Sequence, residues 1–120
     1  MNEADFERAV VDLAHLWDWK VAGFRPARTK QGWRTAVKYD GAGYPDLTMC
    51  QPKRRLIIFA ELKSDKGYLS DEQIVWRETI TQSAWETADV RYYNWKPADA
   101  DEIARLLSAG RIKPGQWRLQ

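Results

Sequence analysis

Leu56-Ile57-Ile58-Phe59-Ala60-Glu61-Leu62-Lys63 is the stretch on which the fold turns. Its first five residues form a short unbroken apolar run rich in β-branched and aromatic side chains, which suits a strand buried on both faces better than a helix. The run reads as a central strand. Side chains alternate across a strand, so Glu61 and Lys63 project from one face at its end while Leu62 points to the other. Just upstream, Leu47-Thr48-Met49-Cys50 reads as a second strand. Gln51-Pro52-Lys53-Arg54 between them is a turn short enough to make the two strands antiparallel neighbours. Asp46, at the start of one strand, then lies beside Glu61 at the end of its partner.

Two carboxylates and an ammonium at adjoining strand ends have a chemistry. A hard cation such as Mg2+ takes oxygen ligands and keeps several waters, so Asp46, Glu61 and a backbone carbonyl, that of Leu62, would suffice with a substrate phosphate completing the shell. Lys63 alongside would orient a water or neutralise charge developing on the phosphate. The competing reading is a surface ion pair of Glu61 with Lys63 and a turn role for Asp46. It is the better reading for any one residue, and the joint arrangement outweighs it.

Working outward, Phe6, Val10, Leu13 and Trp17 recur at helical spacing after Asn2, a candidate N-cap, and predict a helix ending near Asp18. Residues 20–24 read as a short strand and 25–43 as a long connection. Ser70-Asp71-Glu72-Gln73 has the form of a capping box opening a helix through about Trp85. Gln73, Trp76 and Ile80 share one side of that helix, so the Gln73 amide serves either as a cap or as a group aimed into the cleft. Val90-Arg91-Tyr92-Tyr93-Asn94-Trp95 reads as a strand, and Asp99-Ala100-Asp101-Glu102 as the cap of a last helix stopping at Gly110. The expected order is α-β-β-β-α-β-α, a single α/β domain over residues 1–120 with a mixed sheet flanked by helices.

Pro45-Asp46 followed by Glu61-Leu62-Lys63 resembles the PD-(D/E)xK nuclease signature, and the surrounding sequence is similar to its VRR-NUC branch, the small virus-type repair nucleases. Glu3-Ala4-Asp5-Phe6 looks like the family's leading acidic motif. Gly43-Tyr44-Pro45-Asp46-Leu47 looks like its Gly-x-Pro-Asp box. Gly67-Tyr68-Leu69-Ser70 with Gln73 and Trp76 is similar to its Gly-x-Leu-Ser-x-x-Gln-x-x-Trp segment. The likeness runs from Glu3 to about Ile103. It implies a restriction-endonuclease-like fold and an endodeoxyribonuclease dependent on Mg2+, with Mn2+ as substitute. Asp46 and Glu61 would be metal ligands, Lys63 the catalytic lysine and Gln73 a supporting residue. Where this chain has Glu7 the family often has Gln, so the outer acidic residue is either Glu3 or Glu7, four apart on one helical face. Stand-alone proteins of this kind suggest Holliday junction resolution in DNA repair by a homodimer, phage-encoded members acting in the host cytoplasm. The alternatives are a flap, single-strand or restriction-type nuclease, an inactive DNA-binding module of the same fold, and an interaction domain without a nucleic-acid role.

Composition bounds the rest. At 120 residues the chain has room for one core and no second. No apolar stretch approaches the ~18 residues a membrane span needs, and the acidic, amphipathic N-terminus is unlike a secretory signal, so a cytoplasmic, non-membrane protein is expected. One cysteine, Cys50, and one histidine, His15, exclude an internal disulfide and a Cys/His zinc site. The net charge of +2 is too small to argue for nucleic acid, so its distribution must. Between Asp18 and Asp40 there is no acid, while Lys20, Arg25, Arg28, Lys30, Arg34 and Lys38 fall there with Trp33 among them. Beyond Glu102, Arg105, Arg111, Lys113 and Arg118 gather around Trp117. Both segments suit phosphate contacts with an aromatic available for stacking, and Arg25, Arg28, Lys30, Trp33, Arg34 and Lys38 precede Asp46 directly. Of seven tryptophans, Trp17, Trp76 and Trp95 fall at core positions. Trp19, Trp33, Trp85 and Trp117 are left over, which favours a homodimer.

Overall fold

The computed structural model of the chain describes residues 1–24, 37–117 and 119, and 27–29 and 32–34 as backbone. In chain order the elements are helix α1 (Glu3–Leu16), strands β1 (Lys20–Gly23), β2 (Ala27–Thr29), β3 (Gly32–Arg34), β4 (Leu47–Gln51) and β5 (Leu56–Leu62), helix α2 (Asp71–Ser83), strand β6 (Val90–Trp95) and helix α3 (Ala100–Leu107). Four strands form a mixed sheet ordered β1-β4-β5-β6, in which β1, β4 and β5 run antiparallel and β6 lies parallel to β5. The architecture is α/β, with helices flanking that sheet.

The antiparallel pair predicted from 47–50 and 56–60 is present, with Leu47 opposite Ala60 and Gln51 opposite Leu56. Pro52–Arg54 forms a single 3-10 turn between them, closed by Arg55 in the left-handed region at φ 51°. The expected order of elements needs a correction in the 25–43 connection. It contains a separate hairpin, β2 paired antiparallel with β3. Three-residue strands reading Ala-Arg-Thr and Gly-Trp-Arg carry no apolar alternation, so the period-2 signal is missing.

Burial along β5 is uneven. Leu56, Ile58, Ala60 and Leu62 are buried, whereas on the opposite face Ile57 is 38% exposed, Phe59 half-buried and Glu61 buried, so the expected cover on both faces holds only toward the end of the strand. The even-numbered residues join Leu47 and Met49 of β4 and Trp95 of β6 in one apolar face, closed by Phe6, Val10, Leu13 and Ala14 of α1 and Ile103, Ala104 and Leu107 of α3. Each large side chain so buried contributes about 1.5–3 kcal/mol. Helix α1 starts where Asn2 Oδ1 accepts the Asp5 N–H at 2.8 Å, the predicted cap.

The helix C-termini abutting this core are capped by side chains. The Trp17 carbonyl accepts Gln51 Nε2 at 2.7 Å, the Leu107 carbonyl accepts Trp19 Nε1 at 2.9 Å, and the Leu106 carbonyl accepts the Arg54 guanidinium, which also lies over the Trp19 ring. Trp19 is therefore a core residue, 2% exposed, against the expectation that it would be left over. Trp95 is buried as predicted, Trp17 and Trp76 are half-buried, and Trp85 is exposed. The last helix is shorter than expected and its cap differs. Asp99 accepts the Lys96 N–H at 2.9 Å, making no side-chain cap on α3, which ends at Leu107 with the Gly110 N–H returning to the Arg105 carbonyl.

Candidate active site

Parallel β5 and β6 require a crossover, and α2 supplies it, so α2 covers the sheet face opposite α1 and α3. Odd-numbered β5 residues and even-numbered β6 residues point to this face. Its polar end is assembled by the loop before β4. Gly43 sits at φ +80°, and a Cβ there would fall 2.5 Å from the Glu72 carbonyl carbon and 2.7 Å from the Gln73 nitrogen, so glycine lets the first turn of α2 close onto the loop. The Tyr44 ring meets Phe24, Phe59 and Trp76 edge-on, and its hydroxyl is 2.9 Å from Thr48 Oγ1. The Trp76 indole donates to the Asp40 carbonyl at 2.9 Å. The Gly-Tyr-Pro-Asp stretch is thereby clamped between sheet and helix, with Pro45 buried.

Asp46 leaves this clamp at the start of β4. Its Oδ2 accepts the Leu62 N–H at 2.8 Å, substituting for the next rung of the β4–β5 ladder. The Leu62 carbonyl leaves the strand on the same side as that N–H, toward Asp46. Glu61, one residue earlier, is 1% exposed. Gln73 Nε2 donates to Glu61 Oε1 at 3.0 Å, while Gln73 Oε1 accepts the Ser70 N–H at 2.8 Å and the Gln73 N–H is capped by Ser70 Oγ. The two roles open for Gln73 are both filled, one by each end of its amide.

Burial above all pushes the Glu61 carboxyl up to about 9; a hydrogen bond to the Asp46 carboxyl and the Asp46 charge add to this, the Lys63 ammonium opposes it, and Glu3 adds a smaller push upward. Asp46 and Glu61 thus converge as predicted, with Lys63 close enough to be felt. The stem of Lys63 lies against Gly67, where an added Cβ would come within 3.1 Å of Lys63 Cβ. Of the two outer acids, Glu3 is the one whose charge reaches Glu61, and its Oε1 accepts the Ser64 N–H at 3.4 Å. Glu7 lies half-buried one turn further along α1.

The donor set suits a hard cation: two neighbouring carboxyls, the Leu62 carbonyl at the same strand end, and a buried Glu61 Oε2 that accepts no hydrogen bond among the described residues. Among those residues no three His, Cys, Asp or Glu side chains gather around one point, so water and substrate oxygens would supply the remaining ligands. Two residues of this face went unnoticed in the sequence, Tyr92 and Asn94. The period of β6 places them on one side together, but their pairing with β5 has no signal in the chain.

The cation patches are less well placed. Lys38 is exposed; Arg28, Trp33 and Arg34 belong to the β2–β3 hairpin; Arg25 and Lys30 lie outside the described residues, as does Arg118. Trp117 is half-buried against the core and lines a groove of about 600 Å3 with Asp5, Asp12 and Leu16. Arg111 lies over the Trp17 ring, 5.5 Å from its centroid. Among the described residues no helix is long and apolar enough to cross a membrane. Comparison with protein-family models, curated proteins and solved structures found no match to the chain.

Proposed function

We propose that the chain is a Mg2+- or Mn2+-dependent endodeoxyribonuclease with a restriction-endonuclease-like fold, a VRR-NUC-like member of the PD-(D/E)xK nucleases selective for branched DNA in the manner of a Holliday junction resolvase. The observation that carries this reading is the convergence of Asp46 and Glu61, the second buried and held in register by Gln73, beside the Lys63 ammonium. A divalent cation bound there supplies positive charge against the scissile phosphate and acidifies water.

The protein's own groups do the rest. Asp46 is tied to the Leu62 N–H, so its second oxygen keeps a fixed direction. Gln73 holds the Glu61 carboxylate from above. The oxygen of an attacking water forms a new bond to phosphorus as the bond to the leaving oxygen breaks; the water gives up one proton to solvent and the leaving oxygen takes one up from it. Lys63, braced against Gly67, offsets the charge that grows on the phosphate during that exchange. Tyr68 on the following loop is 87% exposed, with the Lys96 ammonium 5.9 Å from its ring centroid, an aromatic and a cation available to an unstacked base. Exposed Tyr39, Val75 and Trp85 support a homodimer, which would present two such centres to a junction.

The small number of carboxylates that converge among the described residues favours one rival, a DNA-binding module of the same fold that does not cut. Cleavage of a panel of four-way junctions, flaps, single strands and plain duplex with Mg2+ separates the two. Asp46→Ala, Glu61→Ala and Lys63→Ala are each expected to reduce cutting about 10³-fold or more while folding and salt-sensitive DNA binding persist. Binding without cleavage by the native chain would leave the module; undiminished cutting by Asp46→Ala would remove that residue from the chemistry.

A further inference from the structure

Strand β6 delivers two polar side chains to the face that carries the carboxylates. Asn94 is the register partner of Glu61, and Tyr92 that of Phe59, one pleat further in. Tyr92 Oη and Asn94 Oδ1 are shielded from solvent and, among the described residues, neither has a hydrogen-bond partner; Glu61 Oε2 likewise accepts from no donor among them, its carboxyl facing only that of Asp46 beyond Gln73. Buried polar atoms are nearly always paired, so three orphans on one sheet face, two of them on register neighbours, ask for a common partner.

The donor count identifies it. A carboxylate and an amide carbonyl only accept, a phenol donates one hydrogen, and a water donates two while accepting from others. One water balances the set: Tyr92 Oη–H donates to it, and its two hydrogens go to Asn94 Oδ1 and Glu61 Oε2. The phenol keeps its proton for this role, since burial, then the Glu61 charge, pushes Tyr92 up to about 12, with Arg77 opposing and Asp46 adding. On the Glu61 carboxyl, Gln73 uses one lone-pair site and the water another; the side shared with the Asp46 carboxyl is left for a cation, which would take the place of the proton between the two.

We propose that Tyr92 and Asn94 are positioning residues of the carboxylate centre, holding an ordered water against Glu61 Oε2 so that the carboxylate is preset to receive a divalent cation with Asp46. This rests on the reading of Asp46 and Glu61 as ion ligands. Partners of this kind, behind the ligands themselves, typically change metal affinity 10- to 100-fold.

The test is Mn2+ binding to the full, DNA-free chain by calorimetry, for the native protein, Asp46→Ala, Tyr92→Phe, Asn94→Leu and the Tyr92→Phe/Asn94→Leu pair, with thermal unfolding in EDTA alongside. Tyr92→Phe and Asn94→Leu are each expected to weaken Mn2+ binding about tenfold or more. The pair should be little worse than the poorer single variant, because both act through one water, and thermal stability in EDTA should stay near native. Cutting by either variant should recover at saturating Mn2+. Native Mn2+ affinity in Tyr92→Phe and Asn94→Leu, with binding abolished by Asp46→Ala, overturns this proposal and leaves the nuclease reading standing. A native chain that binds no Mn2+ overturns both. Tyr92→Phe loses a single oxygen and keeps its packing, so the question survives if Asn94→Leu does not fold. A high-resolution crystal structure provides a second measurement. A water bonded to all three oxygens is expected, and protein groups bonded to Tyr92 Oη and Asn94 Oδ1 in its place overturn the proposal.

Discussion

On the face of the sheet covered by α1 and α3, Leu47, Met49, Ile58, Ala60 and Leu62 meet Phe6, Val10, Ile103 and Leu107, and the polar groups at its border turn to backbone carbonyls: Gln51 to Trp17, Trp19 to Leu107, Ser108 to Ala104. On the face under α2, Glu61 is buried as deeply as Leu62, yet it shares a hydrogen bond with another carboxyl and lies near oxygens of Tyr92 and Asn94 that the described residues leave unpaired. Hydrocarbon burial of the first kind stabilises the chain, whereas each unpaired buried polar group of the second costs about 1–3 kcal/mol. On the first side Trp17 Nε1 departs from this pattern, an indole N–H under the Arg111 guanidinium that has no partner among the described residues. Concentrating buried polarity at one end of one face is how a fold holds a site it does not need for its own stability.

The sharpest way to break this comparison is a pair of neighbours on β5. Ile58 is fully buried and Ile57 is 38% exposed, one on each face. Ile58→Ala removes side-chain volume from a packed core and is expected to cost about 2–5 kcal/mol in urea unfolding. Ile57→Ala should cost well under half of that. Equal losses would mean that α2 shields its face as fully as α1 and α3 shield theirs.

How far the sequence could be read follows the same division. The alternation and apolar content of 47–62 located β4 and β5, and the fixed geometry of an antiparallel pair then brought Asp46 beside Glu61 without further information. Caps were legible where a side chain and its target lie within three residues, as with Asn2 and Ser70. Asp99 misled because the same local chemistry offered it another partner three residues back, the Lys96 N–H of the preceding 3-10 turn. Contacts that join distant segments were not legible: Trp19 looked surplus because its partners, Leu107 and Arg54, are 88 residues later and on another element. Asn94 stayed hidden for the same reason, since the register of a parallel pair depends on the crossover between the strands and no local turn specifies it.

A middle-sized effect tests the polar face by itself. A carboxyl whose pKa rises from 4.5 to about 9 on folding holds its proton more tightly in the folded state than in the unfolded one. Stability from this group is therefore full below about pH 4.5 and declines as pH rises, until the folded carboxyl too has ionised near 9. Glu61→Gln keeps the shape and the hydrogen bonds of the protonated form and cannot ionise. In EDTA it should match the native chain at about pH 4.5 and exceed it at pH 7 by about 2–3 kcal/mol in urea unfolding. A native chain that is the more stable of the two at pH 7 would show that Glu61 is ionised and compensated in the folded protein, and the contrast between the faces would lose its electrostatic half.

The smallest effect separates the two ends of one side chain. Ser70 Oγ caps the Gln73 N–H, and Gln73 Oε1 returns the bond to the Ser70 N–H, so either residue belongs to the capping box; only the Gln73 amide nitrogen reaches Glu61. Ser70→Ala should cost about 1 kcal/mol of stability and leave Mn2+ affinity where it was. Gln73→Ala should cost a similar amount and also weaken Mn2+ binding, about tenfold, because Glu61 Oε1 loses its donor. Gln73→Glu is the discriminating variant: a glutamate at this position still closes the box. It has no N–H to offer Glu61 and sets a like charge against it, so stability returns in part while the metal affinity lost in Gln73→Ala does not recover to the native value. If Ser70→Ala and Gln73→Ala prove indistinguishable in Mn2+ binding, Gln73 is a helix cap that happens to touch the site, and α2 covers the carboxylates without steering them.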